Sequence, residues 1–565
     1  MYNIFIFITS FYLLLLSIIG YGLIFQNLFF MKLKNLNHEN TIFLGFFGLT
    51  LVTFISLFTS LFVQHGYIHN LILHLIGIIL FFFTPIKNKN KFLKIIFLIS
   101  ILSFICLLIS KTHDDFSYYH LPFTKYLTEQ KIIFGMGHLN HGYNLLSSLF
   151  FLNSTFYLPF IEYYSFHFSL IFFLIFFNFF LFKEIQNKKN ENIIKYLYLF
   201  AFVFFNLSFN RIAEYGTDKV GQLLIVIIII KLFDNICIKK DDYKRIISKI
   251  LPLIPLLALC ITLKTYFLPY ILLGLLVLLI NQNYFKSLKR IFFTKAFLFF
   301  LLILIFNFLH HFISTGCIIS PLAYTCFGDL MTWSKDIDVI KGLSLWLEQW
   351  SKAGAGPNFR VENVDKYLLF FNWVPNWFDK YFLPKFLDQL LILISTFIIV
   401  FLLFKKLKLK KSNKSFYNKK FLYFYLIISI IFFIWFFNHP TLRYGGYSIV
   451  FLTISLPIVV LFQNFENSKF FYKKFSFLII LVIILFNIKN FNRIVKEFER
   501  GDIYQYSNFP FYSIAEKKYS SKKFNSGLTI YAAHHCWATP SPCGHLSDEL
   551  KVLKKNGYFF ISKFK

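Results

Sequence analysis

The chain has 565 residues, of which 57% are hydrophobic and only 15% are charged. A soluble domain carries about 25% charged residues, so this composition excludes an ordinary soluble globular protein. The formal net charge of +31 would suit a nucleic-acid-binding protein, but the lysines cluster between apolar segments, as in the cytoplasmic loops of membrane proteins. We therefore predict an integral membrane protein with no nucleic acid partner.

Apolar segments near the length that spans a bilayer recur along the whole chain. They predict an all-α polytopic membrane protein with about fourteen transmembrane helices. The first segment is interpreted as an uncleaved helix, because it lacks the basic start and small-residue cleavage site of a signal peptide. The predicted helices are 3–29, 42–63, 67–86, 93–110, 161–183, 194–209, 218–236, 249–263, 266–282, 293–312, 386–404, 421–437, 446–463 and 475–490.

Basic residues are distributed unequally between the two ends of these helices. Lysine clusters, densest at 405–420, fall in loops at one end, whereas the short loops at the other end contain only Arg211 and Arg443. Lys264 is the one exception to this alternation. The positive-inside rule then predicts that both termini and the long polar segments lie outside the cytoplasm.

Three regions follow from this topology. We predict an N-terminal transmembrane bundle at 1–110, a transmembrane core at 111–490 and an extracytoplasmic appendage at 491–565. Two outer loops belong to the core: the acidic loop, 111–160, and the long loop, 313–385, whose aromatic content predicts amphipathic helices at the membrane interface. The appendage, called the tail below, contains strand-like runs and is expected to be a small α+β unit.

The acidic loop begins with Asp114 and Asp115, and adjacent carboxylates at a membrane boundary are costly unless solvated, paired or metal-bound. One of them could act as a general base, or the pair could hold a divalent metal ion, with His120 contacting a phosphate or hydroxyl. A solvated helix cap is the competing interpretation. His138 and His141 follow among three glycines, which permit tight turns beside a ligand and favour the functional interpretation.

Three charged residues of other outer loops are further candidates. Asp218 could cap the seventh helix or face an aqueous cavity. Lys264 could extend to the interface as lysines ordinarily do, or hold an anionic head group. The guanidinium of Arg443 matches phosphate oxygens bidentately, although an isolated arginine could simply bind lipid head groups.

The long loop contains Trp333, Trp346 and Trp350. It could cover a groove and grip a substrate, or the tryptophans could simply prefer the membrane interface. We assign no catalytic residue to this loop.

Four cysteines form two local pairs outside the membrane, Cys317 with Cys326 and Cys536 with Cys543. An extracytoplasmic location favours disulfides, and closing the second loop would stabilise the tail by roughly 2.5 kcal/mol. A metal site is the competing interpretation for the second pair, because His534, His535 and His545 flank it.

These features together resemble the GT-C superfamily, the polytopic glycosyltransferases that use polyprenyl-phosphate-linked sugars. Asp114 and Asp115 match the acidic motif of its first large outer loop, Asp218 a later polar position, and Arg443 the arginine near a late helix. Four motifs look more narrowly like a bacterial family of large, uncharacterised GT-C-like membrane proteins. They are Asp115-x-x-x-Tyr119-His120-Leu, Gly135-x-Gly137-x-Leu-x-His141, Trp435-Phe-Phe-x-x-Pro-x-x-Arg443-Tyr-Gly and Cys536-Trp-x-x-x-x-Pro-Cys543.

The resemblance implies transfer of a sugar from a polyprenyl-phosphate donor to a glycan, lipid or protein acceptor at the outer face of the membrane. Asp115 or Asp114 would deprotonate the acceptor, and Arg443 and Lys264 would hold the donor phosphate. The remaining substrate-binding candidates are Tyr119, His120, His138 and Asp218. No cofactor is certain, although Asp114 and Asp115 are the candidate ligands for a divalent metal ion. One departure is that three additional helices precede the acidic loop.

Two other functions remain open from the sequence. An O-antigen ligase-like or polymerase-like transferase would rely on arginines and a histidine in the long loop, which has Arg360 but no histidine between Phe312 and Lys385. A transporter or flippase of a lipid-linked sugar would show internal repeats and ionisable residues near the bilayer midplane. No clear repeat is present, and the charged candidates lie at one end of the helices.

Overall fold

The computed structural model describes residues 2–30, 41–86, 88–109, 112–239, 241–279, 284–356, 358–405, 419–462, 469–499, 512, 514 and 517–563. Parts of the predicted cytoplasmic loops, including much of the lysine-rich stretch at 405–420, lie outside these residues. Within them the protein is a helical bundle with a small β-containing tail.

Ten helices among the described residues are long and apolar enough to cross a membrane. This confirms a multi-pass membrane protein, and each helix overlaps a predicted span. The helices are Tyr2–Phe30, Thr41–Thr59, Lys89–Leu108, Tyr163–Gln186, Gly216–Ile238, Tyr243–Leu263, Lys295–Thr315, Val374–Phe404, Lys419–Asn438 and Phe471–Glu499.

Four shorter apolar helices occupy the remaining predicted spans: Tyr67–Phe83, Asn192–Ser208, Thr265–Val277 and Gly446–Phe462. Two of these helices contain a proline: Pro269 lies in Thr265–Val277, and Pro457 lies in Gly446–Phe462. Because proline removes a backbone donor and crowds the preceding turn, it shortens or distorts regular helix.

The centre of the bundle consists of Tyr163–Gln186 and Gly216–Ile238, since 94% of the residues in the apolar stretch of each are buried. The N-terminal helices pack directly against this core. Phe7 contacts Phe168 with ring centroids 5.0 Å apart. Hydrophobic packing of aromatic side chains therefore joins the predicted N-terminal bundle to the rest of the membrane region.

The acidic loop folds into short helical elements rather than a surface helix. Its π-helical turn Phe116–His120 leads into the helix Leu121–Glu129, of which residues 121–128 are all buried. The prediction of an interfacial helix is wrong here, because this helix is buried inside the protein, where it packs against Ser148–Ser154. The loop continues through Met136–His138, His141–Asn144 and Ser148–Ser154.

The long loop is shorter than predicted, because its flanking helices extend to Thr315 and begin again at Val374. It contains the helix Ile337–Ser351, a two-stranded ribbon of Ala355–Gly356 with Phe359–Arg360, and the short helix Val364–Leu368. The helix Ile337–Ser351, called the loop helix below, is capped by the Asp336 side chain, which accepts a hydrogen bond from the Asp338 amide.

The tail begins later than predicted, since the last long helix continues to Glu499. Its strands confirm both strand-like runs of the sequence. They are Ser520–Lys523, Thr529–Ala532 and Cys543–Gly544 in one sheet, and Leu550–Lys555 with Tyr558–Lys563 in a hairpin. The tail joins the acidic loop through backbone hydrogen bonds, among them Phe134 N to Phe559 O at 2.9 Å.

Candidate functional site

Four charged residues from distant parts of the chain meet in one cluster at one end of the helical bundle. Arg443 donates from Nη2 to Asp115 Oδ2 at 2.6 Å, and its Nε lies 2.8 Å from Asp218 Oδ2. Lys264 Nζ lies 3.1 Å from Asp218 Oδ1. We call Asp115, Asp218, Lys264 and Arg443 the ion-pair cluster. The structure thus brings together the four charged candidates that the sequence placed on separate loops.

Each member of the cluster lies where a helix ends or begins. Asp115 precedes the turn Phe116–His120, and Asp218 lies in the first turns of Gly216–Ile238. Arg443 lies in the turn between Lys419–Asn438 and Gly446–Phe462. Alternating helices bring such ends to one side of a bundle, which explains why residues so far apart in sequence meet.

Lys264 owes its position to a break in the helical backbone. The helix that precedes it ends at Leu263, and Lys264 is extended, with φ −155° and ψ 129°. A helical segment begins again at Thr265. The break turns the chain at the cluster, so the ammonium reaches Asp218 rather than extending along a continuous helix.

The cluster is open on the side of Asp115 and closed on the side of Asp218. The side chains of Asp115 and Arg443 are 27% and 22% exposed, whereas that of Asp218 is 6% exposed. His113 adds an imidazole, with Nδ1 3.3 Å from Asp115 Oδ2. A small polar ligand can therefore approach Asp115 and Arg443. Asp218 contacts Lys264 and Arg443 from the buried side of the cluster.

Electrostatics keep Asp115 ionised. Burial alone would raise the pKa of this carboxyl, but the positive charge of Arg443 outweighs it and holds the pKa well below its usual range. Burial opposes the charge of Arg443, and the carboxylates of Asp218 and Asp115 nevertheless raise its pKa. The two residues therefore remain a charged pair over the physiological pH range.

His120 is buried beside the cluster, and its Nε2 has no hydrogen-bond partner among the described residues. Burial lowers its pKa to about 3, despite the opposing carboxylate of Asp115, so the imidazole is neutral at pH 7. Gly216, at φ +59°, permits this approach, because a Cβ there would lie 2.9 Å from the imidazole. The neutral ring can donate or accept one hydrogen bond.

Tyrosines surround the cations of the cluster. Tyr444 stacks on Tyr266 with ring centroids 4.2 Å apart, and the Arg443 guanidinium lies 5.6 Å from the centroid of Tyr444. Tyr119 is buried and packs on Gly142, where a Cβ would lie 2.3 Å from its ring. Tyr119 and Tyr444 therefore both contribute to the packing around the ion-pair cluster.

Two candidate residues lie apart from the cluster. Asp114 is exposed, and the turn that begins at Asp115 directs only the second carboxylate towards Arg443. His138 is partly buried against the long loop, with Nε2 3.0 Å from Trp333 O. The glycine-rich segment around it packs against the long loop and the tail, and the binding role of His138 stays a prediction.

Both predicted disulfides are present, Cys317–Cys326 and Cys536–Cys543. The second closes a loop that lies on the acidic segment, where Trp537 N donates to Ser117 O at 3.0 Å. Among the residues that the structure describes, no group of three or more His, Cys, Asp or Glu side chains could hold a metal ion.

A largely apolar cleft of about 280 Å³ adjoins the cluster between Thr265–Val277 and Lys419–Asn438. Tyr266, His439 and Tyr444 line its polar end, and leucine and isoleucine side chains line much of the rest. The polar end of the cleft is therefore formed by Tyr444, which follows Arg443 in the chain, and by Tyr266, which stacks on Tyr444.

Sequence reasoning missed several residues of the site. His113 contacts Asp115, and Trp350 lies against Arg443, with the guanidinium 5.5 Å from a ring centroid. His141, which the sequence had already marked in its glycine-rich motif, hydrogen-bonds Tyr118 at 2.9 Å. Nothing in the sequence distinguished Trp350 from an interfacial tryptophan.

A family model described as a domain of unknown function, DUF8201, matches residues 4–451. No curated protein and no solved structure matches the chain. The matched region contains the whole ion-pair cluster and ends before the tail.

Proposed function

The chain belongs to the DUF8201 family, and we propose that it is a membrane glycosyltransferase of the GT-C type. It transfers a sugar from a polyprenyl-phosphate-linked donor to a glycan, lipid or protein acceptor at the outer face of the bacterial cytoplasmic membrane. The observation that carries the proposal is the ion-pair cluster, in which a partly exposed carboxylate and an arginine meet beside an apolar cleft.

The donor is accommodated by the two chemically different surfaces that adjoin each other. The apolar cleft between Thr265–Val277 and Lys419–Asn438 takes the isoprenoid chain next to the phosphate. Arg443 and Lys264 bind the phosphate, and the guanidinium suits it because its planar donors match two oxygens at once. Arg443 directs Nη2 to Asp115 and Nε to Asp218, and the same planar guanidinium carries further N–H donors that can face a phosphate.

Asp115 is the general base. Its carboxylate accepts the proton of the acceptor hydroxyl while the hydroxyl oxygen attacks the anomeric carbon. The bond from that carbon to the phosphate oxygen breaks, and polyprenyl phosphate leaves with the bonding electrons. A phosphate leaving group needs no general acid, so one carboxylate suffices, and attack opposite the leaving group inverts the anomeric centre.

Arg443 links donor binding to the strength of the base. While it pairs with Asp115, the carboxylate has a low pKa and is a weak base. Once the guanidinium turns towards a donor phosphate, Asp115 loses its strongest partner and its pKa rises. Asp218 retains Lys264 throughout. His120, neutral and with Nε2 unpaired within the described part of the chain, contacts the acceptor or a phosphate oxygen.

The proposed topology has fourteen transmembrane helices, in which the four shorter apolar helices also cross the membrane. Both termini lie outside the cytoplasm in this topology. The lysine distribution supports it, as does the meeting of Asp115, Asp218, Lys264 and Arg443 at one end of the bundle.

The proposal is tested with purified protein in proteoliposomes that contain synthetic undecaprenyl-phosphate sugars. Wild-type protein should release undecaprenyl phosphate, and Arg443→Gln should raise the donor KM strongly because the phosphate loses a bidentate partner. Arg245→Gln is the matched control, since Arg245 is 64% exposed and pairs with Asp241, at the opposite ends of the helices Gly216–Ile238 and Tyr243–Leu263 from Asp218 and Lys264.

Each other outcome has a defined meaning. Donor binding without release of undecaprenyl phosphate, together with movement of the intact donor across the bilayer, would overturn the transferase in favour of a flippase. Equal donor KM values for wild type and Arg443→Gln would remove Arg443 from the phosphate site.

A further inference from the structure

Two tryptophans of the loop helix face the ion-pair cluster. Trp346 and Trp350 are separated by one helical turn, so they lie on the same face of Ile337–Ser351. Trp350 stacks over the Arg443 guanidinium at 5.5 Å, and Trp346 approaches His141 with ring centroids 6.4 Å apart. Both tryptophans are only partly buried.

A second set of rings continues from Trp346 along the acidic loop. Tyr118 contacts His141, with centroids 5.0 Å apart, and its hydroxyl lies 2.9 Å from Nδ1 of that histidine. On its other side Tyr118 contacts His535 of the tail at 5.6 Å. We call Trp350, Trp346, His141, Tyr118 and His535 the aromatic rim. The acidic loop, the long loop and the tail therefore each contribute residues to the aromatic rim.

The rim is fixed in place by polar contacts. Ser351, which follows Trp350, hydrogen-bonds His439 Nδ1 at 3.2 Å. Ser117 hydrogen-bonds His535 Nδ1 at 2.9 Å. A tryptophan that served only as a membrane anchor would point towards lipid, whereas Trp350 contacts the guanidinium of Arg443.

The rim also carries unused hydrogen-bonding groups. His141 and His535 each use Nδ1 in the contacts described, and in the described part of the chain their Nε2 atoms form no hydrogen bond. Partly exposed indole faces beside free imidazole nitrogens offer apolar contact and directional hydrogen bonds in the same place.

We propose that the aromatic rim is a carbohydrate-binding subsite that holds the acceptor glycan against Asp115. The apolar C–H face of a pyranose packs on Trp346 and Trp350, and its hydroxyls bond to His141 and His535. This inference rests on the proposed transferase and names its acceptor as a glycan, rather than a protein or a simple lipid. Tyr118, one helical turn beyond Asp115, keeps the bound sugar within reach of the carboxylate.

The experiment measures binding of the full-length protein in lipid nanodiscs to an array of immobilised bacterial oligosaccharides. Wild type should bind at least one glycan, and Trp346→Ala with Trp350→Ala should lower the apparent affinity at least about fivefold, since two aromatic contacts with the sugar are lost. Trp346→Phe with Trp350→Phe should retain most of the affinity. Tyr324→Ala is the control, because Tyr324 is an exposed aromatic residue of the same loop.

Binding to the array needs neither donor nor turnover, so the result is independent of the transfer assay. The subsite is overturned if wild type binds no glycan, if the double alanine variant binds like wild type, or if the double phenylalanine variant loses as much affinity as the alanine variant. Loss of donor turnover with an intact array profile would instead overturn the transferase and leave a glycan-binding surface.

Discussion

Asp218 is expected to be the residue on which the stability of the site depends most. Its side chain is 6% exposed and pairs with two cations, Arg443 at 2.8 Å and Lys264 at 3.1 Å. Asp218→Asn leaves both cations without their buried counter-charge, and removing one partner of a buried ion pair costs about 3–5 kcal/mol. Asp115→Asn removes one contact of a carboxylate that is 27% exposed, and solvent screening limits that cost to about 1–2 kcal/mol.

The comparison is made by SDS titration of each variant in mixed micelles, with tryptophan fluorescence as the readout. The account predicts that Asp218→Asn lowers the free energy of unfolding by at least about 1 kcal/mol more than Asp115→Asn does. Asp338→Asn serves as the control, since the Asp338 side chain is 84% exposed in its pair with Lys341. Equal losses for the two cluster variants would show that Asp218 is not the buried anchor of the cluster.

Two further predictions concern the residues around the cluster. The folded protein depresses the pKa of His120 to about 3, so protonation favours the unfolded chain and stability falls as the pH drops from about 6.5 towards 3, by at most about 1.4 kcal/mol per pH unit. His120→Asn should therefore reduce the dependence of the melting temperature on pH in that window. A pH dependence equal to that of wild type would contradict the burial of a neutral imidazole. Cys536→Ser with Cys543→Ser should slow transfer, because that disulfide loop lies on the acidic segment. Cys317→Ser with Cys326→Ser should affect transfer less, and equal effects would show that the tail disulfide has no special relation to the site.

Much of the membrane architecture could be predicted from local sequence features. Apolar runs located every described long helix, and the break at Lys264 was placed correctly because a lysine interrupts a continuous apolar stretch. The two disulfides followed from short cysteine spacings. These features depend on neighbours in the chain, which the sequence displays directly.

The finer arrangement of the site depended on packing that the sequence does not display. Asp114 and Asp115 are equivalent as a motif, and only the turn at Phe116–His120 selects the second carboxylate. His138 was expected near them because it shares their loop, but its contact is with the long loop. Trp350 reaches Arg443 through a loop helix whose docking position no periodicity could predict.

The most direct test of the central claim compares Asp115→Asn with Asp114→Asn in the proteoliposome transfer assay. The two carboxylates are neighbours in sequence, yet only Asp115 pairs with Arg443, while Asp114 is exposed. Loss of a general base lowers the rate by about 10²–10⁴-fold, so the account predicts that loss for Asp115→Asn and near wild-type transfer for Asp114→Asn. Full sugar transfer by Asp115→Asn would contradict it.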